Sequence, residues 1–307
     1  MLVLTHSGKF HADDVLSWAL LCLFFPSPKK LIRSRDPQYL EKADLIFDIG
    51  GVYDAKKKQF DHHQAQYKGT LSSAGMILLW LKDSKYIDEQ LFERLQKDIV
   101  NHVDAVDNGI TLPQKEHLDF TVLIDGYNNG CQTLEDFDKA YFKASSVAKN
   151  VLENILCAHN EEQRAIQTVK EELSKSDISK SNILFFDSYI SWKGPYFQLR
   201  ENHHTEFVIF QSLNKTWQAV AIPPELESFA QKRSFPESWA GKRGSDLAKI
   251  TGFQSAEFCH KNRFIAVFYS LRDLLSAMNN AGLLINVNID RVCSRATQHQ
   301  SKDSAAL

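Results

Sequence analysis

The stretch "ADLIFDIGG", residues 43–51, constrains this chain more than any other. An apolar run of strand length closes in an acid and a glycine pair, the pattern of a buried strand entering a turn. The chain opens in the same manner. "MLVLT" is short and β-branched, and "HSGKFHADD" follows it, placing His6, His11, Asp13 and Asp14 within the first fourteen residues. "LIRSRD" reads as another strand. "DDVLSWALLCLFF" and "TLSSAGMILLWLKD" read as helices, the second entered through Ser72 or Ser73. "VYDAKKKQFDHH" suggests a short hairpin, and "IDEQLFERLQKDIVNHVDAVDNG" one long amphipathic helix ended by Gly109. Strands alternating with helices predict an α/β first domain.

The remainder has a different texture. Helix formers and charge dominate from Leu134 to about Ser174, where two or three helices are expected. "ISKSN" reads as a hinge. "ILFFDSYISWKGPYFQ", "TEFVIFQSLN" and "TWQAVAIPP" have strand composition. "SLRDLLSAMNNAG" reads as a helix ending at Gly282, and the polar "RATQHQSKDSAAL" as a frayed end. With 307 residues the chain has room for two domains. The plan is a metal-binding α/β domain over 1–130, a helical connector over 131–180 and a smaller mixed α/β domain over 181–307.

Composition narrows the function classes. A hydrophobic content of 43% argues against general disorder, and a net charge of -2 gives no bulk pull toward nucleic acid. Five scattered cysteines without a CxxC pair disfavour a zinc ribbon or a disulfide framework and suit a reducing compartment. No basic region precedes an apolar run at the N-terminus, and "VLSWALLCLFF" is too short to span a bilayer. The expectation is a cytoplasmic protein with no membrane partner.

Divalent cations such as manganese and magnesium favour carboxylate oxygens, and manganese also takes imidazole. His6 follows the first strand-like run, Asp48 closes another, and Asp61, His62 and His63 follow the next. Asp104 and Asp107 lie i,i+3 on one helix and share a face. Singly, each has a bland reading: a surface histidine, a turn former before Gly50, a cap, a solvated helix end. Their recurrence after apolar runs weakens those readings and sets one shared metal site level with them.

Several longer motifs add to this. "HSGKFHADDVLS", "DIGGVYD", "FDHHQ", "LSSAG", "VDAVDNG", "AVAIPPELESFAQKRSFPESWAG" and "FCHKNRFIAVFYSLRDLLSAM" together resemble the melanocyte-proliferating-gene-product family, a "metal-dependent hydrolase" family distantly similar to the DHH phosphoesterases. The resemblance covers nearly the whole chain. It implies a DHH-like, mainly parallel first domain and two divalent ions, manganese first and magnesium second. The implied ligands are His6, His11, Asp13, Asp48, His62 and Asp104, with Asp48 bridging. His11 stands where DHH relatives more often carry an aspartate. The implied catalytic groups are Asp48, Asp61 and His63, with His63 also touching phosphate and Asp14 and Asp107 supporting. On this resemblance the activity is a phosphodiesterase, a 3′–5′ exonuclease on single-stranded RNA or short oligonucleotides, using metal-activated water. A small phosphoester substrate or a non-enzymatic binding module stays open, as does a homo-oligomer.

DHH enzymes hold the rest of the substrate with a second domain. The candidates here are Arg233, Trp239, His260, Lys261 and Arg263, with His203, His204 and Arg243 beside them. Arginine suits phosphate and Trp239 would stack a base. "NRFIAV" lacks the glycine pair of the family's "SGFIGG" loop.

Overall fold

The computed structural model describes residues 1–27, 29–175, 180–199 and 204–303. The chain divides into two compact units, Met1–Asn160 and Glu161–Leu307. Part of the expected hinge, Ile178 and Ser179, and the candidate His203 lie outside the described residues.

The N-terminal unit begins with β1 (Leu2–Thr5), α1 (Ala12–Phe24), β2 (Lys30–Arg33), α2 (Gln38–Lys42) and β3 (Leu45–Phe47). Next come the hairpin strands β4 (Tyr53–Asp54) and β5 (Gln59–Phe60) and the helix α3 (Ser73–Asp83). The sheet order is β2-β1-β3-β5-β4. β1 runs parallel to β2 and β3, β3 runs parallel to β5, and only the β4–β5 pair is antiparallel. Leu45, Ile46 and Phe47 are all buried, as are Val3, Leu4 and Thr5. Strands covered on both faces carry continuous apolar runs, which is why these were legible. Sequence order reverses at β1, with β2 on one side and β3 on the other. In open α/β sheets that reversal leaves a crevice beyond the carboxyl ends of the strands.

α4 (Glu89–Leu95), a π-helical turn over Gln96–Val100 and α5 (Asn101–Asp107) realise the single expected helix. α5 stops at Asn108 and at Gly109, whose φ of +68° suits a residue without a Cβ. α6 (Phe120–Asp125) follows, and α1 packs against α3, α5 and α6. Val15, Leu16 and Leu20 of α1 share one buried cluster with Val3, Phe47, Phe60, Ile77 and Leu81.

α7 (Leu134–Leu173) is one helix of 40 residues, where two or three were expected. The stretch contains neither glycine nor proline, so nothing interrupts it.

The C-terminal unit contains β6 (Ile183–Phe186), α8 (Lys193–Leu199), β7 (Phe207–Gln211) and β8 (Trp217–Ala221). It continues with α9 (Gly244–Thr251), β9 (Ala256–Cys259), β10 (Ile265–Phe268), α10 (Leu271–Asn280) and α11 (Ile289–Asp303). Its sheet order is β6-β7-β8-β10-β9, with only β6 and β7 parallel. Ile183 and Phe185 join one buried cluster, and Leu184 and Phe186 the other. Successive side chains on a strand point to opposite faces, so both faces are covered. Two expectations are corrected here. "ISWKGPYFQ" is not strand: Pro195 sits in the first turn of α8, where its missing N–H is harmless. Most of the expected frayed end is helical, α11 running through Asp303, and residues 304–307 lie outside the described residues.

Candidate metal centre

The carboxyl ends of β1 and β3 deliver His6 and Asp48. Asp48 has φ of +54°, and Gly50 and Gly51 have +103° and +67°. This left-handed turn folds the chain back, so that Asp61 Oδ2 accepts from Gly51 N at 2.6 Å. The strain at Asp48, about 1 kcal/mol or more for a non-glycine residue, is the kind that collects at functional sites. The first turn of α1 supplies Asp13 and Asp14, and the end of α5 supplies Asp107.

Three groups of candidate ligand atoms lie within 4.8 Å of one another: His6, Asp14 and Asp48; Asp48, His62 and His63; and His11, Asp13 and Asp107. Asp48 belongs to two of them. His6 Nε2 is 3.1 Å from Asp48 Oδ2 and 3.2 Å from Asp14 Oδ2. His62 Nε2 is 3.0 Å from Asp107 Oδ2 and 3.7 Å from Asp48 Oδ1. Yet Asp13 Oδ1, Asp14 Oδ2, Asp48 Oδ1 and His62 Nε2 are buried without an aligned hydrogen-bond partner. Asp14 Oδ2, Asp48 Oδ1 and His62 Nε2 face only the ion-pair partners just named, and buried carboxylate oxygens of this kind are costly without a counter-charge. Divalent cations suit such mixed carboxylate and imidazole groups, so the residues fit divalent-metal binding.

Electrostatics agree. Burial opposes charge on His6, but the Asp14 and Asp48 carboxylates facing it raise it to about 10. Burial likewise opposes charge on His62, and Asp107 and Asp48 raise it to about 11. Asp48 is buried, yet His6 and His62 hold it down at about 2. Burial and the neighbouring carboxylates push Asp13 upward, and burial pushes Asp14 upward. The pocket therefore favours positive charge, and imidazolium protons supply it when no cation does.

Other side chains orient these groups. Ser73 Oγ donates to Asp13 Oδ2 at 2.8 Å, and His11 N to Asp14 Oδ1 at 3.0 Å. Asn108 Oδ1 lies 3.3 Å from His62 Nδ1 while its amide nitrogen donates to Thr70 O and Asp104 O. That contact leaves His62 Nε2 aimed at Asp48 and Asp107. His63 and His11 are the exposed members of the set. His63 Nδ1 is 2.7 Å from Asp61 Oδ1, and that carboxylate raises its pKa. Ser73 and Asn108 were not expected; they stand inside the quoted "LSSAG" and "VDAVDNG", but nothing in those strings assigns a task to them.

Asp104 and Asp107 are placed differently from each other. Asp104, expected as a ligand, caps α3: its Oδ1 accepts from Ser72 Oγ at 2.6 Å, Ser72 N at 3.0 Å and Gly75 N at 3.2 Å. Burial still pushes it up to about 6. Asp107, expected as support, faces His62 and groups with His11 and Asp13. The π-helical turn upstream sets which acid faces inward, and i,i+3 spacing alone does not reveal it.

The open side is a cleft of about 700 Å³ lined by His6, Lys9, His11, Arg35, Asp48 and His63 among others. Arg35 and Lys9 were also not expected.

In the C-terminal unit, Trp239 is 3% exposed and stacked on Phe235, so it offers no face to a base. That corrects its expected role. Arg233 is occupied by Glu206 and by Gly282 O. His260, Lys261 and Arg263 share the β9–β10 turn, with Arg263 at φ +58° and Lys261 exposed. His260 Nδ1 accepts from Asn262 N at 3.0 Å. Arg243 lies over Phe258 at 4.2 Å, and His204 lines a separate pocket of about 660 Å³.

The family model MYG1_exonuc, described as an uncharacterised protein family (UPF0160), matches residues 2–282. The chain belongs to the MYG1 family. It is 36% identical over 267 residues to a MYG1 protein of Chlamydia pneumoniae, covering 86% of this chain and 90% of that one. It is 30% identical to a MYG1 protein of Dictyostelium discoideum over 301 residues, covering 86% of this chain and 91% of that one. A Bos taurus relative named MYG1 exonuclease is 29% identical over 302 residues, covering 85% of this chain and 79% of that one. Among the described residues no helix is long and apolar enough to cross a membrane.

Proposed function

We propose that this chain is a divalent-metal-dependent phosphoester hydrolase, an exonuclease working on single-stranded RNA or short oligonucleotides. The observation that carries the reading is the three groups of histidine and aspartate ligand atoms, two of which share Asp48. The family description and the relative named an exonuclease support the reaction class. The motif likeness to DHH phosphoesterases supports hydrolysis at phosphorus. Two ions would draw their ligands from the groups His6, Asp14 and Asp48; Asp48, His62 and His63; and His11, Asp13 and Asp107, manganese being favoured by the mixed imidazole and carboxylate donors. When bound, such ions activate water and stabilise charge on phosphate oxygens.

The protein's own groups do the rest. Asp48, fixed by its turn, is shared between two ligand groups and so spaces them. Asp61 holds His63 with one ring nitrogen engaged, which leaves the other free to donate to a non-bridging phosphate oxygen. Asn108 and Ser73 keep His62 and Asp13 from rotating away. His260, Lys261 and Arg263 on the β9–β10 turn are proposed contacts for the strand. Free cysteines suit a reducing, cytoplasmic setting.

The test measures bound metal and hydrolysis of a labelled oligonucleotide panel with Mn²⁺, with Mg²⁺ and after chelation. Asp48→Asn is expected to lose metal and to lower turnover by about a hundredfold or more while remaining folded. Wild-type protein that retains no divalent metal, or that cleaves no phosphoester in the panel, overturns the reading.

A further inference from the structure

The cleft presents a problem for any phosphate approaching it. Asp48 and Asp61, both buried, line it, so an approaching phosphate meets carboxylate oxygens as well as the site's histidines. Bound cations answer part of that. The rest must come from the cleft wall, where Arg35 and Lys9 stand.

Arg35 is placed by a specific piece of backbone. Ser34 N donates to Thr5 O, extending the β1–β2 ladder by one step, and the chain then turns. Asp36 N donates to Ser34 Oγ, and Asp36 Oδ1 accepts from Gln38 N. The acid next to Arg35 is thereby committed to the entry into α2. Among the described residues no carboxylate pairs with Arg35. One guanidinium nitrogen lies 3.2 Å from His6 Nδ1. The opposite nitrogen of that ring faces Asp14 and Asp48, so the guanidinium stands one imidazole's width from the candidate ligands. A guanidinium has five donors in a planar fork and no acceptor, and a single imidazole contact leaves most of them unused. The group that matches this fork is an oxyanion with two equivalent oxygens. Lys9 differs: it is paired at 3.1 Å with Asp125, with both side chains more than half exposed, a weak pair that water and salt loosen.

We infer that Arg35 is the phosphate anchor of this cleft, gripping two oxygens of the substrate's phosphate group beside the metal-ligand histidine, with Lys9 a secondary contact. The inference rests on the phosphoester-hydrolase reading, and it names what that site grips first. A lysine cannot reproduce the fork, so the anchor is specific to arginine.

Wild type, Arg35→Ala and Arg35→Lys, each loaded with Mn²⁺, are titrated with inorganic phosphate by calorimetry and assayed on bis(p-nitrophenyl) phosphate. Arg35→Ala is expected to weaken phosphate binding about 10- to 100-fold and to raise KM by more than it lowers kcat. Arg35→Lys recovers part of the affinity, and Lys9→Ala weakens it by only about threefold. Bound Mn²⁺ and thermal midpoint match wild type, since Arg35 is exposed and holds no carboxylate. Phosphate affinity within twofold of wild type in Arg35→Ala overturns the anchor. So does loss of Mn²⁺ from that variant, which would make Arg35 a group that only orients His6. The two readings separate cleanly. Phosphate binding that depends on Arg35 without hydrolysis sinks the enzyme and keeps the anchor. Hydrolysis and phosphate binding indifferent to Arg35 do the reverse.

Discussion

Gly75→Ala pits two effects of opposite sign against each other. Gly75 is in the first turn of α3, where alanine is the better helix former by about 0.5–1 kcal/mol. The added methyl, however, would stand 2.2 Å from Asp104 Oδ2 and 2.7 Å from Asp104 Oδ1. Those contacts are far inside van der Waals distance, and the carboxylate is a short, buried group with little freedom to yield. Asp104 must move, and it then gives up part of the three hydrogen bonds that cap α3. Hydrogen bonds to a charged acceptor are worth about 1.5–3 kcal/mol each and are not additive here, so losing about half of the set costs about 3–4 kcal/mol. The net expectation is a destabilisation of about 2–3 kcal/mol. For a unit of this size that lowers the melting midpoint by roughly 5–10 °C. Thermal unfolding followed by circular dichroism reads the shift. Hydrogen exchange on α3 peptides assigns it to the N-terminal unit. Asp104→Ser in the same chain leaves room for the methyl, so the double variant should lose less than the sum of the two single variants. Gly75→Ala as stable as wild type, or more so, would mean that propensity wins and that the Asp104 cap is not holding α3.

Three further outcomes are expected. At neutral pH the metal-free protein carries protons on His6 and His62, whose values are about 10 and 11, and a ligand nitrogen must be bare. Mn²⁺ binding near pH 7 should therefore release about two protons, measured by calorimetry in buffers of differing ionisation enthalpy; release of less than about one refutes the assignment. The same raised values stabilise the metal-free fold fully below about pH 6.5, and that contribution is lost as pH climbs through 10 and 11. Trp239→Ala should cost about 3–5 kcal/mol of stability in the C-terminal unit and leave oligonucleotide affinity unchanged in the folded fraction, as a buried ring stacked on Phe235 requires. Weakened binding with normal stability would contradict that.

The site was legible where chemistry follows a strand. His6 after β1 and Asp48 after β3 announce themselves because buried parallel strands are apolar throughout, so a polar residue at their end stands out. The helical contributors were harder. Asp13 and Asp14 are adjacent and both acidic, and only the packing of α1 sends one toward His11 and Asp107 and the other toward His6 and Asp48. Which of Asp104 and Asp107 faces His62 was hidden for the same reason. Ser73, Asn108 and Arg35 act through contacts made across long stretches of chain, and residue type alone does not signal them. In the C-terminal unit Trp239 misled because an aromatic among basic residues looks the same whether it faces solvent or Phe235.

The π-helical turn at Gln96–Val100 means that this pocket depends on residue count as well as residue type. Each residue on a helix advances the next side chain by about 100°. Removing one position there would restore regular winding and swing both Asp104 and Asp107 off their partners at once, with no acid, histidine or glycine altered. A single-codon deletion in that segment, chemically silent on paper, should therefore uncap a helix and open the cation pocket in the same stroke.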